Sequence, residues 1–176
     1  MVGRRVLRIV TGVALAALAS APALAGDAGA AKSDPGLLVL GAGAYDFHDD
    51  HAAAEVNIAY RFGTMVWLVK PHVGAMVTSN GAKFGWGGLL LDFELTPNWM
   101  VTPSTSVGVY SRGSGKDLGY SLEFRSGVDV AYRFDDNTRL GLGVYHISNA
   151  GLGRKNPGEE SIIATYALPV GVLLGK

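Results

Sequence analysis

His146, Ser148 and Glu160 are the side chains of this 176-residue sequence whose types and spacing could do chemistry together. They lie in the run Val144-Tyr145-His146-Ile147-Ser148-Asn149-Ala150-Gly151-Leu152-Gly153-Arg154-Lys155-Asn156-Pro157-Gly158-Glu159-Glu160, where a strand pattern crosses a Gly/Asn/Pro loop into a second strand pattern. Residues two apart on a strand share a face, so His146 and Ser148 point the same way. A hairpin centred near Gly153 returns Glu160 opposite His146, with the Cβ atoms ~5 Å apart. A hydroxyl, an imidazole and a carboxylate so placed are the parts of a Ser-His-acid hydrolase: the imidazole takes the hydroxyl proton, and the carboxylate supports the cation that forms. Taken singly, each reads as a rim residue of a barrel, where it meets lipid head groups, more readily than as a catalyst. Three such groups on one face of one hairpin bring the catalytic reading level with the rim reading, because an ionisable group aimed at lipid is costly and usually functional.

The elements that must position them are strands. From Gly36 onward the helical period is absent and the two-residue period recurs. Between Leu118 and Phe134 the even positions include Leu118, Tyr120, Leu122, Phe124, Val128, Val130, Tyr132 and Phe134, whereas the odd ones are small or charged. Eight strands are predicted, at about 36–47, 52–62, 66–78, 83–95, 98–111, 118–134, 138–149 and 160–174. The charged residues on the polar parities are Glu55, Arg61, Lys70, Asp92, Glu94, Glu123, Arg125, Asp129, Arg133 and Arg139. Equal numbers of each sign suit a paired interior, as a narrow eight-stranded barrel fills its lumen with side chains. The apolar parity then faces lipid, with Tyr60, Phe62, Trp67, Trp99, Tyr120, Tyr132 and Phe134 as aromatic girdles. Tight turns at Gly63-Thr64, Pro97 and Asp135-Asp136-Asn137 alternate with longer or more polar links at 48–51, 79–82, 112–117 and 150–159. That is the pattern of an all-β, eight-stranded antiparallel transmembrane barrel of the bacterial outer membrane, with the 150–159 hairpin on the outer side.

Residues 1–25 read as a signal peptide. Arg4, Arg5 and Arg8 precede an apolar run too short for a spanning helix, and Ala23-Leu24-Ala25 is a small-x-small cleavage site. The paired arginines also allow twin-arginine export; the ordinary secretory route is the expectation. Residues 26–35, small and polar, are expected to be a mobile terminus, and 36–176 to be the barrel. Loss of the leader removes three of 15 basic residues, leaving 12 against 15 acidic ones. No nucleic-acid partner is implied by that balance. The absence of cysteine excludes disulfides, thiolate metal sites and a cysteine nucleophile.

The hairpin resembles the signature of the lipid A 3-O-deacylase family (PagL-type outer-membrane esterases), which carries His-x-Ser-Asn, then an Asn, then a Glu across the last hairpin of its barrel. His146-Ile147-Ser148-Asn149, Asn156 and Glu160 match position by position. Gly115-Lys116-Asp117-Leu118-Gly119 and Tyr132-Arg133-Phe134 are also similar, and the likeness is strongest over 115–166. The resemblance implies Ser148 as nucleophile, His146 as general base and Glu160 as the orienting acid. It further implies Asn149, with the Gly151 N–H, as the oxyanion hole, and Asn156 as a loop-shaping residue. Strict alternation points Asn149 inward, so the strand must end or bulge there for that role. Asn149-Ala150-Gly151 and Asn156-Pro157-Gly158 are also plain turn chemistry. The implied substrate is the ester-linked acyl chain at the 3-position of lipid A in lipopolysaccharide, reached among outer-membrane lipids, with no cofactor. Nothing in the sequence decides between a monomer and a homodimer. The chain ends Val172-Leu173-Leu174-Gly175-Lys176, without the terminal aromatic that barrel assembly commonly reads.

Other candidates read as structure. His48-Asp49-Asp50-His51 could bind a metal but is expected to be a solvated loop, since adjacent residues in a turn diverge; no metal site is expected. Gly113-Ser114-Gly115-Lys116 lacks the spacing of a phosphate loop. His72 faces the lumen and is expected to be a hydrogen-bonded interior residue. The competing functional classes are a non-enzymatic barrel, which treats the hairpin as coincidence, and a lipid A acyltransferase, which would need lumen space for a chain. A soluble ligand-binding barrel would reverse the faces.

Overall fold

The computed structural model describes residues 35–63 and 68–173. The predicted leader, the terminus up to residue 34, Trp67, most of the first tight turn and the last three residues lie outside these. Nine strands form one antiparallel sheet: β1 (Leu37–Tyr45), β2 (Ala53–Arg61), β3 (Val69–Thr78), β4 (Lys83–Leu91), β5 (Phe93–Glu94), β6 (Trp99–Ser111), β7 (Leu122–Arg133), β8 (Arg139–Ser148) and β9 (Glu159–Pro169). The order is β4-β3-β2-β1-β9-β8-β7-β6-β5, and β4 also pairs with β6, which closes the sheet. β4 and β5 are one strand interrupted at Asp92, so the closed barrel has eight strands. Closure removes the free edges that an open sheet would leave.

Alternation decides what faces where. Val56, Ile58, Val73, Val77, Leu89, Val128, Val130, Leu140, Leu142 and Val144 are exposed, while Glu55, Lys70, His72, Glu123, Arg125, Asp129 and Arg139 are buried. An oily exterior around a charged interior inverts a soluble protein and fits hydrocarbon outside. The lumen is packed by pairs: Arg61–Asp129 at 3.1 Å, Lys70–Asp92 at 2.9 Å and Arg139–Asp92 at 3.0 Å. Tyr145 donates to Asp129 at 2.7 Å, and the Arg125 guanidinium stacks 3.4 Å from the Tyr145 ring centroid. His72 is hydrogen-bonded inside to Ser106 at 3.1 Å, as expected. The cavity left among these side chains is ≈ 20 Å³, room for about one water. No acyl chain fits there.

Five expectations need correction. The fourth strand breaks at Asp92, whose carboxylate is held by Lys70, Arg139 and Thr102 and so anchors the chain at the lumen wall. The sixth strand begins at Leu122 instead of 118, and Leu118 is buried in an apolar cluster with Tyr45, Phe84, Tyr110 and Ile147. The positive φ of Gly119 (93°) turns the chain there and ends the alternation. The last strand stops at Pro169, followed by a helical turn, α1 (Val170–Leu173). Pairing of the interior charges is incomplete: Glu55 bonds Asn57 and Ser161, and neither Glu123 carboxylate oxygen has a side-chain partner among the described residues. Finally, Glu94 is an exposed rim residue paired with Arg133.

Candidate active site on the β8–β9 hairpin

β8 delivers the site by strict alternation. From its end into the loop the chain reads His146 out, Ile147 in, Ser148 out, Asn149 in, and the two inward ones are fully buried. Ile147 anchors the strand end in the apolar cluster beneath the loops, a burial that contributes about 1.5–3 kcal/mol. β8 and β9 pair with His146 directly opposite Glu160. The His146 Nδ1 lies 3.1 Å from Glu160 Oε1, and each side chain is about one-third exposed (35% and 32%). The carboxylate therefore fixes the ring through Nδ1 and leaves Nε2 available.

Where Nε2 lies is set by a residue that sequence reasoning treated as turn chemistry. Continuing the β8–β9 register by one step places Gly158 opposite Ser148. A Cβ added to Gly158 would sit 2.6 Å from His146 Cε1 and 3.3 Å from His146 Nε2. The Cε1–Nε2 edge of the imidazole thus leans over Gly158, into the row that holds Ser148. Gly158 also has a φ of 68°, which favours glycine independently.

The Asn149 side chain is engaged within the loop. Its Nδ2 spends both hydrogens on carbonyls, Leu118 O at 2.7 Å and Lys155 O at 2.8 Å, and its Oδ1 accepts from the Gly151 N–H at 2.9 Å. The two groups expected to bind an oxyanion are bonded to each other, because the side chain turns inward and organises the loop. Asn156 is a loop-shaping residue, accepting from the Asn149 N–H through Oδ1 at 3.0 Å. Between them, Ala150 has a φ of 53° in the turn closed by Leu152 N–H donating to Asn149 O at 3.0 Å. A non-glycine residue there costs about 1–2 kcal/mol. No hydrogen bond among the described residues uses the Ala150 N–H.

Loop 112–121 braces the hairpin from behind. The Leu118 carbonyl holds Asn149, and Lys155 Nζ lies 3.0 Å from Asp117. Lys116 reaches the other way, to Asp46 at 2.8 Å and Asp49 at 2.9 Å in loop 46–52. The motif Gly115-Lys116-Asp117-Leu118-Gly119 is therefore a clamp between loops, a role its composition alone did not disclose. Its ammonium also bears on the metal reading. Asp46, Asp49 and His51 offer ligand atoms within 4.8 Å of one another, but the Lys116 ammonium already bonds both acids.

The family model for lipid A 3-O-deacylase (PagL) matches residues 20–169. The chain belongs to that family. A curated relative, the lipid A deacylase PagL of Pseudomonas aeruginosa, is 33% identical over 60 residues, which cover 34% of this chain and 35% of the relative. The aligned part thus spans about a third of that relative's length. The crystal structure of the outer membrane enzyme PagL superposes with a TM-score of 0.62 at 18% identity, covering 76% of this chain and 99% of that one. A de novo designed transmembrane β-barrel (TM-score 0.56, 12% identity, 78% and 98% covered) and Neisserial surface protein A (0.54, 12%, 76% and 95%) share the fold. The PagL family and this architecture place the barrel in the bacterial outer membrane.

Proposed function

We propose that this PagL-family barrel hydrolyses the ester linking the acyl chain at the 3-position of lipid A, at its lipid-facing outer rim. The observation that carries the reading is the 3.1 Å contact of His146 Nδ1 with Glu160 Oε1, on the same outward face as Ser148. Ser148 Oγ attacks the acyl carbonyl carbon as His146 Nε2 takes its proton, and Glu160 steadies the imidazolium. Collapse of the tetrahedral intermediate breaks the bond to the sugar oxygen, which leaves with the proton from Nε2. Water then adds to the acyl-serine, giving its proton to Nε2, and Ser148 is restored as the fatty acid departs. The developing oxyanion needs a donor, and the uncommitted Ala150 N–H, held in a strained turn beside the nucleophile, fits that task.

Two features of the barrel support this over the other classes. A filled lumen leaves an acyltransferase no place for its chain, and a purely structural barrel has no use for an imidazole–carboxylate pair facing lipid. The test is mass spectrometry of lipid A exposed to the purified protein in mixed micelles. Ser148→Ala and His146→Ala should each lower release of the 3-linked chain by several orders of magnitude, about 10⁴ or more, and the double variant should be scarcely worse. A Ser148→Ala protein that migrates as folded and releases the chain at the parent rate removes the hairpin as the active site.

A further inference from the structure

Arg61, Lys70 and Arg139 each lie within 3.1 Å of a carboxylate in the lumen. Arg125 is different. It projects inward from β7 between Ser106 of β6 and Ile147 of β8 and is only 5% exposed, yet it forms no ion pair among the described residues. Aromatic rings hold it instead: the guanidinium lies 3.4 Å from the Tyr145 ring centroid and 4.7 Å from that of Trp86. Ring faces attract a cation but do not accept its N–H groups as a carboxylate would, and those groups have no hydrogen-bond acceptor among the described residues. Asp129, four residues further along β7, is already committed. Its Oδ2 accepts from Arg61 at 3.1 Å and from Tyr145 at 2.7 Å. Its Oδ1 faces the β8 wall, 2.8 Å from where a Cβ on Gly143 would stand.

The ≈ 20 Å³ cavity lies against this cation, and its lining includes Arg61, Trp86, Arg125 and Asp129. Two permanent cations thus face one carboxylate, and His72, also in the lining, adds no negative charge. Trp86 Nε1 is a further buried donor without an acceptor among the described residues. We propose that the lumen binds one monatomic anion of the chloride class at the N–H edge of Arg125. A buried cation without a counter-charge is costly. A water in the cavity would accept a hydrogen bond but leave the excess charge; a halide, little larger than a water, supplies both. The cavity volume admits about one water-sized body, so sulfate, phosphate and carboxylates are too large. Tyr145 and Trp86 fix the guanidinium before the anion arrives, so little ordering cost is left for binding. The site is independent of the chemistry at Ser148.

The test uses the whole barrel folded in detergent, with bromide as a probe that replaces chloride and scatters X-rays anomalously. Crystals of the parent grown in sodium bromide should show an anomalous peak inside the cavity, in contact with an Arg125 nitrogen. A cavity holding water alone overturns the proposal, and so do peaks confined to the outer surface, which mark an adventitious ion only. In solution, replacing gluconate with chloride at constant ionic strength should raise the midpoint of the heat-induced gel shift saturably, by several degrees. Sulfate should not. Arg125→Met should lose the chloride response whatever its own midpoint, and Arg125→Lys, which keeps the charge but not the planar stacking, should need at least tenfold more chloride for the same shift. Equal responses to chloride and sulfate, or an Arg125→Met protein that responds to chloride as the parent does, overturn the proposal. Should Arg125→Met not fold, the bromide peak in the parent decides.

Discussion

His146 can act as a base only if its ring is held at one nitrogen and free at the other, and two residues of the return strand arrange this. Glu160 holds Nδ1. Gly158, by lacking a side chain, lets the Nε2 edge lie in the row of Ser148. Gly158→Ala puts a methyl 2.6 Å from Cε1 and asks alanine to adopt a φ of 68°. The ring must give way, because backbone flanks the methyl and Glu160 holds the far side. Displacement of a catalytic group by about 1 Å costs on the order of 10² in rate. Gly158→Ala should therefore lose about that much in kcat while gel migration stays native; a parent-like kcat would mean the ring is not seated against Gly158. The His146–Glu160 pairing was legible in the sequence because it follows from parity and hairpin arithmetic. Gly158 and Asn149 were not, since the first depends on a ring contact and the second on a carbonyl from a distant loop.

At the scale of elements, the hairpin is as good as the loop that braces it. Lys116 and Asp117 are adjacent yet unequal. Lys116 is mostly buried and bonds Asp46, which is 1% exposed and has one oxygen already unpartnered. Burial opposes charge on Lys116, but the hydrogen bonds it donates to Asp46 and Asp49 outweigh it and raise its pKa. Removing a buried partner leaves an uncompensated charge, so Lys116→Met should cost about 3–5 kcal/mol of stability. Asp117 is exposed, water and salt screen its pair with Lys155, and Asp117→Asn should barely move the melting temperature. Equal losses from both substitutions would contradict this division. The pH dependence follows from the same groups. The Lys155 hydrogen bond and the Gly119 N–H hold the Asp117 carboxyl below its usual range. That contribution is complete above the ordinary carboxylate pKa and disappears as pH falls through the lowered one. The raised Lys116 contributes fully below the ordinary ammonium pKa and is lost as pH rises through the higher one. The brace is thus intact from about pH 4 to 10, and loop proteolysis should accelerate only outside that window. Strand patterns announced the elements this brace connects. The bracing loop was misread at its end because Leu118 continues the oily parity, while Gly119 turns it into the core.

The molecule as a whole is a surface with two unlike faces, and the catalytic proposal depends on which is outside. Sequence alternation gave the assignment, since a two-residue period cannot slip without exchanging every side chain at once. What it could not give is how the charges divide inside. Arg61, Lys70, Asp92, Asp129 and Arg139 are paired across the lumen. Near the loops, Glu55 and Glu159 instead share one serine, with Ser161 Oγ 2.9 Å and 3.0 Å from their oxygens. Serine has a single hydrogen, so the two carboxyls compete for it. Such a lumen must be shielded from anything that partitions into lipid. Neighbouring positions on β7 can test this without disturbing a charge: Val130 is 44% exposed and Ala131 is 7% exposed. In a cysteine-free chain, Val130→Cys should react readily with a membrane-soluble maleimide in proteoliposomes, and Ala131→Cys should react only after heat unfolding. The reverse labelling would turn the barrel inside out, carrying His146, Ser148 and Glu160 into the lumen and away from any lipid substrate.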